Sequence, residues 1–307
     1  MRFPVTIFEF QEQFPTEEAC WQHLRRVRWP RGFRCPRCGH GRSYFLERRR
    51  LEQCRACRYQ ASVTAGTIFH RTRLPLRVWF VAIFFVARHK QGISALQLQR
   101  DTGIGSYETA WTLLHKVRSA LFPDPSRRLT GLVEADESYV GAPHERGKRG
   151  GREIGRKVLV GVAVENRGQT AGAARLAVLE GMTFENDVGP FVRGMIDAAE
   201  AVVRTDGFRS YQPLRKVGVR HDRRVQGQRS RSSKILPWSH VLFSNLKSWL
   251  RGTFHGVSKK HMPRYLDEFT YRLNQRWDEL AVFGSILSRA LVSPPFPYAR
   301  LVAESGR

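Results

Sequence analysis

VEADESYVGA, residues 133–142, is an apolar lead running into a cluster of acids, and the chain is read outward from it. VVRTDGFRSY (202–211) repeats the pattern, an apolar run stopped by Asp206. Between them, LVEADESYVG (132–141), KVLVGVAVEN (157–166) and AARLAVLE (173–180) are rich in Val, Leu and Ala and read as three consecutive strands. DVGPFVRGMIDAAE (187–200) reads as a helix, and AVVRTD (201–206) as a fourth, buried strand. A third stretch, SHVLFSNLKSWLRGTFHG (239–256), has the apolar spacing of a helix.

Three strands, a helix and a parallel strand match the start of a ribonuclease-H-like α/β domain. Alternation on a strand puts Asp136 on the face of Glu134 and turns Glu137 the other way. Asp136 and Asp206 then end two strands, while Asn245 lies on the border of the helix's apolar face, beside Val241 and Ser248. Two acids and one amide oxygen form a ligand set for Mg²⁺ (or Mn²⁺). Lys247 lies about 160° from Asn245 on the same wheel and is better placed to touch phosphate, as are His240 and Arg251. The blander readings are that each aspartate forms a turn or caps a helix and that Asn245 bonds a neighbouring element. Glu268 is the rival third acid.

The whole chain favours a polyanion partner. Its 307 residues hold 52 Lys and Arg against 27 acids, a net charge of +25. That excess points to double-stranded DNA, and the apolar fraction of 41% fits a folded protein and not a disordered one. The most apolar run, 78–87, is too short for a membrane span, and no signal peptide is evident. The expectation is a soluble protein of the bacterial cytoplasm, at the nucleoid.

Cys35-x₂-Cys38, fifteen residues, then Cys54-x₂-Cys57 is the spacing of a closed structural Zn²⁺ site. Four thiolates leave no open position, so this zinc does no catalysis. Cys20 stands apart and is read as core. Ahead of the ribbon, Thr16 caps a helix. Behind it, Pro75 starts a nearly all-apolar helix. ISALQLQRDTGI and GSYETAWTLLHKVRSAL then meet at a Gly-Ile-Gly turn as a helix-turn-helix. With Ala110, Leu113, Leu114 and Val117 inward, Tyr107, Thr109, Thr112, His115, Lys116 and Arg118 are left for DNA. The expected domains are a helical lead (1–34), a zinc ribbon (35–73), a helix-turn-helix region (74–122), the catalytic domain (130–293) and a tail (294–307). Basic loops at 144–157 and 220–234 are expected to neutralise phosphates, with binding that weakens steeply in salt.

The zinc ribbon, EADESYVG, TDGFRSY and HVLFSNLKSWLRGTFHGVSKKHMPRYLDEFTYRLNQR together resemble insertion-sequence transposases of the ISXO-two-like branch. The resemblance runs from about Phe14 to Trp277, and its last motif is the most specific. It implies a DDE-type transposase that binds the element's ends and carries out Mg-dependent phosphodiester hydrolysis and strand transfer, as a homo-oligomer on DNA. The family's first two acids fall on Asp136 and Asp206. Its third position, Asn in place of Glu in this branch, falls on Asn245, and a following lysine on Lys247. The competing classes are a non-catalytic DNA-binding regulator (an inactivated transposase among them) and a nuclease that cuts without joining.

Overall fold

The computed structural model describes residues 3–141, 157–225 and 235–303. Residues 144–156 and 226–234 of the two expected basic loops lie outside the described residues. The chain divides into two compact units, Met1–Leu121 with Asp278–Glu304 and Phe122–Trp277 with Ser305–Arg307.

The first unit opens with α1 (Ile7–Gln13), held by a capping box between Thr6 and Glu9, and α2 (Glu17–Arg28). Thr16 Oγ1 accepts from Ala19 N at 3.2 Å, the cap expected from the sequence. An antiparallel sheet follows, β1 (Ser43–Leu46), β2 (Leu51–Cys54) and β3 (Gln60–Ala61). Pro75 leaves α3 (Leu76–Arg88) without a local side-chain cap. Glu17 supplies one from a distance, accepting from Leu76 N at 2.8 Å and Arg77 N at 2.9 Å. α4 (Ala95–Thr102) and α5 (Tyr107–Ser119) meet through Gly103, whose φ of 69° only glycine adopts without strain.

The second unit is built on five strands: β4 (Leu129–Gly141), β5 (Lys157–Asn166), β6 (Ala171–Leu179), β7 (Ile196–Thr205) and β8 (Arg220–Arg223). Their order is β6-β5-β4-β7-β8. β5 pairs antiparallel with both β4 and β6, while β7 pairs parallel with β4 and β8 parallel with β7. Helix α6 (Gly189–Met195) precedes β7. α7 (Pro237–Trp249) and α8 (Met262–Asn274) close the unit.

Both sheet faces are covered, so the interior strand β5 carries an apolar run from Val158 to Val164. Its Leu159 and Ala163 join Val133, Ala135, Phe191 and Val192 in the core under α6. Its valines at 158, 160, 162 and 164 join Leu242, Phe243, Leu246 and Leu266 in the core under α7 and α8. Gly161 lets α6 lie close, since a Cβ there would sit 3.0 Å from the Phe191 ring.

Three expectations are corrected by the structure. Residues 196–200 belong to β7 and not to the preceding helix, and residues 220–223 are a parallel edge strand and not loop. The chain then returns to the first unit as α9 (Val282–Val292) and α10 (Tyr298–Ala303). Phe283 of α9 sits among Phe10, Phe14, Phe80 and Phe84, ring centroids 5.8 to 6.2 Å apart. Residues 282–292, assigned from the sequence to the catalytic domain, therefore complete the N-terminal core. Among the described residues no helix is long and apolar enough to cross a membrane.

Candidate active site and metal centre

The pairing of β4 with β7 brings the two aspartates to one end of the sheet. Pairs run from Gly131↔Ala201 to Glu134↔Arg204. Asp136 and Asp206 each lie two residues beyond the last pair, so they leave neighbouring parallel strands at the same level and on the same face. This is the carboxyl end of the parallel strands, where open α/β sheets hold ligands.

Even-numbered residues of β4 face α7, and three of them meet it. Glu134 is buried and accepts from the backbone N–H groups of Trp238 and Ser239, both at 2.9 Å, and from Asn166 Nδ2 at 2.7 Å. It therefore caps the first turn of α7, which has no local side-chain cap. Further along, Lys247 Nζ donates to Ser138 Oγ at 2.7 Å. With α7 fastened at both ends, the cavity at Asp136 is lined by Glu137, Ser138, His240, Phe243, Ser244 and Lys247 and holds about 380 Å³.

Charge in this cavity is unbalanced. Burial pushes the Asp136 carboxyl from 3.8 to about 6. The Glu137 N–H, which donates to it at 2.9 Å, and His240 pull the other way, while Asp206 and Glu134 push it further up. Glu137 goes up to about 7, through burial first and then Asp136 and Asp206. Tyr211 Oη donates to Glu137 from the opposite face of the sheet, and burial beside that carboxylate holds the phenol well above its usual range. Burial lowers the Lys247 ammonium, which Asp136 partly restores. Such a cluster of strained carboxyls suits a hard cation with oxygen ligands.

The expected third ligand is not brought to this cluster. Asn245 is exposed and is not among the residues lining the cavity. The stripe of α7 toward β4 is His240, Ser244 and Lys247, and Asn245 lies about 140° round the helix from His240. Glu137 points to the other face, as alternation predicts, and its carboxyl accepts from Tyr211 Oη in the core under α6. Glu268 is buried in α8, 3.7 Å from Arg272. Arg251 is exposed beside a second cavity that shares Lys247 and adds Lys157 and His255.

The four ribbon cysteines lie with their sulfurs within 4.8 Å of one another. Sγ of Cys35 is 3.6 Å from that of Cys57, and Sγ of Cys38 is 3.6 Å from that of Cys54. A tetrahedral zinc about 2.3 Å from each sulfur sets them about 3.8 Å apart, so the residues fit the ion. Burial opposes ionisation of Cys35. The N–H groups of Cys38 and Arg37 and the neighbouring thiols outweigh it and bring the thiol to about 7. Cys20 is buried in the core, and burial pushes its thiol up to about 12.

On α5 the expected DNA face is narrower than the helical wheel suggests. Thr109 is exposed, and Thr112 and Lys116 are half-buried. His115 and Arg118 are buried, because α5 packs on both α3 and α4 and a wider arc is covered. Arg118 is therefore withdrawn as a DNA contact.

Residues 128–274 match the family described as the ISXO2-like transposase domain. Residues 15–60 match the transposase zinc-ribbon domain. A similar protein from Halobacterium salinarum, described as an uncharacterized protein in transposable element ISH50, is 28% identical over 289 residues. The match covers 84% of this chain and 91% of that one. The four-cysteine ribbon thus matches a transposase zinc-ribbon family, and the mixed sheet that follows it matches the ISXO2-like transposase family.

Proposed function

We propose that the protein is an active DNA transposase, which binds the ends of its element, hydrolyses a phosphodiester there and transfers the freed strand to target DNA. The observation that carries this is Asp136 and Asp206 at one level on adjacent parallel strands, with Asp136 open to a cavity that Lys247 also lines. The strand order and directions, with helices on both faces, support a ribonuclease-H-like catalytic domain.

Asp136 and Asp206 would hold Mg²⁺ or Mn²⁺. A cation held there would supply a lowered pKa for an attacking water and charge stabilisation for a leaving oxygen. Lys247, fixed by Ser138, presents an ammonium at the rim for a non-bridging phosphate oxygen. Arg251 extends that positive edge. The zinc ribbon and the exposed part of α5, Thr109 with the rims of Thr112 and Lys116, would read the element ends as a helix-turn-helix. Two ends cut in one event call for a homo-oligomer on DNA. A chain that works on DNA belongs in the cytoplasm at the nucleoid.

The test is cleavage of labelled DNA carrying the flanked element end, with Mg²⁺. Wild type is expected to cut at the end and yield strand-transfer products, and Asp136→Ala and Asp206→Ala to do neither. Cutting without joining would leave a nuclease. Equal binding by all three proteins without cutting would leave a DNA-binding regulator. Binding should weaken steeply with salt, with a slope that falls by about one for each phosphate-contacting Lys removed.

A further inference from the structure

We infer that the third protein ligand of the active-site metal is His240, not Asn245. The inference rests on the transposase reading above. It follows from how α7 is fastened to β4. Glu134 takes the N–H groups of Trp238 and Ser239, and Ser138 takes the Lys247 ammonium. Asp136 lies between these two attachments on the same face of β4, and the helix residues between them on the β4 side are His240 and Ser244. Both line the cavity with Asp136, whereas Asn245 is exposed and does not. Within the helix, His240, Ser244 and Lys247 stand at i, i+4 and i+7, one stripe about 60° wide.

The chemistry of the side chain agrees with its place. A neutral imidazole is a strong nitrogen donor, whereas Ser244 offers only a neutral hydroxyl. Glu134, the other acid on this face, is engaged by three donors and is a positioning residue for the helix. A site of two carboxylates and one imidazole carries one negative charge less than a site of three carboxylates. It should favour Mn²⁺ and later divalent metals over Mg²⁺, because imidazole suits borderline cations better than hard ones.

The experiment is Mn²⁺ binding to the full-length protein, read by titration and by pulsed electron paramagnetic resonance, which detects nitrogen bonded directly to the ion. Wild type is expected to show one Mn²⁺ that Asp136→Asn removes, coupled to an imidazole nitrogen. His240→Gln should lose the nitrogen coupling and weaken binding by at least about tenfold, the lower end of what losing even a supporting partner costs. His240→Glu should keep the ion, lose the nitrogen coupling and gain Mg²⁺ affinity, which separates a lost ligand from a misfolded variant. Asn245→Ala should leave coupling and affinity unchanged. An ion that Asp136→Asn removes but that shows no nitrogen coupling in wild type, or coupling that survives in His240→Gln, overturns the assignment and leaves the transposase reading standing. Loss of the ion in Asn245→Ala overturns it in favour of the amide. No Mn²⁺ sensitive to Asp136 at all would overturn both.

Discussion

Replacing Asp136 with Asn is expected to stabilise the metal-free protein while destroying its metal response. In the fold the carboxyl sits at about 6, against 3.8 in the unfolded chain, through burial first and then the neighbouring Asp206 and Glu134. For an acid whose folded pKa lies above its unfolded one, the folded state holds the extra proton between the two values. Stability therefore falls as pH climbs from about 4 to about 6, and above that the full penalty persists. Two units correspond to about 3 kcal/mol. Asp136 is partly open to water, which screens some of this, so roughly 1–3 kcal/mol is expected. Asn keeps the shape and still accepts the Glu137 N–H, but carries no charge to repel Asp206. In thermal unfolding with EDTA at pH 7.5 the variant should melt about 2–10 °C higher. At pH 5 the gap should shrink to about half, since wild type is then largely protonated in the fold. With saturating Mg²⁺ only wild type gains the binding free energy, and the gap should narrow or reverse. A variant that melts below wild type in EDTA at pH 7.5 would refute the claim that Asp136 is held charged against its surroundings.

Glu134→Ala leaves the first-turn N–H groups of α7 unpartnered in a buried place, and should cost about 2–4 kcal/mol in urea unfolding. Glu134→Gln, which keeps an acceptor oxygen, should cost less, and equal losses would argue against the capping role. Cys54→Ser should drop bound zinc by metal analysis to well below one ion per chain, with loss of the ribbon's amide-exchange protection. Full zinc retention would place the ion elsewhere. Thr16→Ala removes the cap of α2 and should cost about 1 kcal/mol by chemical denaturation, while Thr16→Ser should cost little. Arg118→Ala should change stability and leave the salt slope of DNA binding where it was, because that side chain is buried. A shallower slope would return Arg118 to the DNA interface.

Much of the fold was legible because strong local patterns agree with it. The four-cysteine spacing gave the ribbon, Thr16 gave the start of α2, and the apolar run at 157–166 became β5 with the same bounds. What escaped was decided by distant partners. Ile196 to Glu200 has alanines and a glutamate that favour a helix, yet β4 pairs Leu129 with Ile196 and draws the segment into the sheet. Residues 220–223 have the polarity of a loop and become a strand only because the edge of β7 is open to them. A helical wheel locates the apolar face of α7 and says nothing about which polar border meets the sheet. For that reason the sequence reading turned Asn245 toward the metal and His240 toward phosphate.

Glu134 and Asp136 show why residue type and face were not enough to assign the site. They lie on one face of one strand, two residues apart, and either could be drawn as a metal ligand. Their donors separate them. Three N–H groups engage the Glu134 carboxylate, two from the start of α7 and one from Asn166, so its lone pairs are largely committed. One N–H, from Glu137, engages Asp136, and the rest of its surroundings are acids, an imidazole and the open cavity. The first acid fixes a helix. The second is left with unspent lone pairs and a raised pKa, a state that a divalent cation relieves. The same capping contact that removes Glu134 from the chemistry sets the rotation of α7, and that rotation places His240 beside Asp136. The division of labour between two adjacent acids thus determines which helix residue can complete the site.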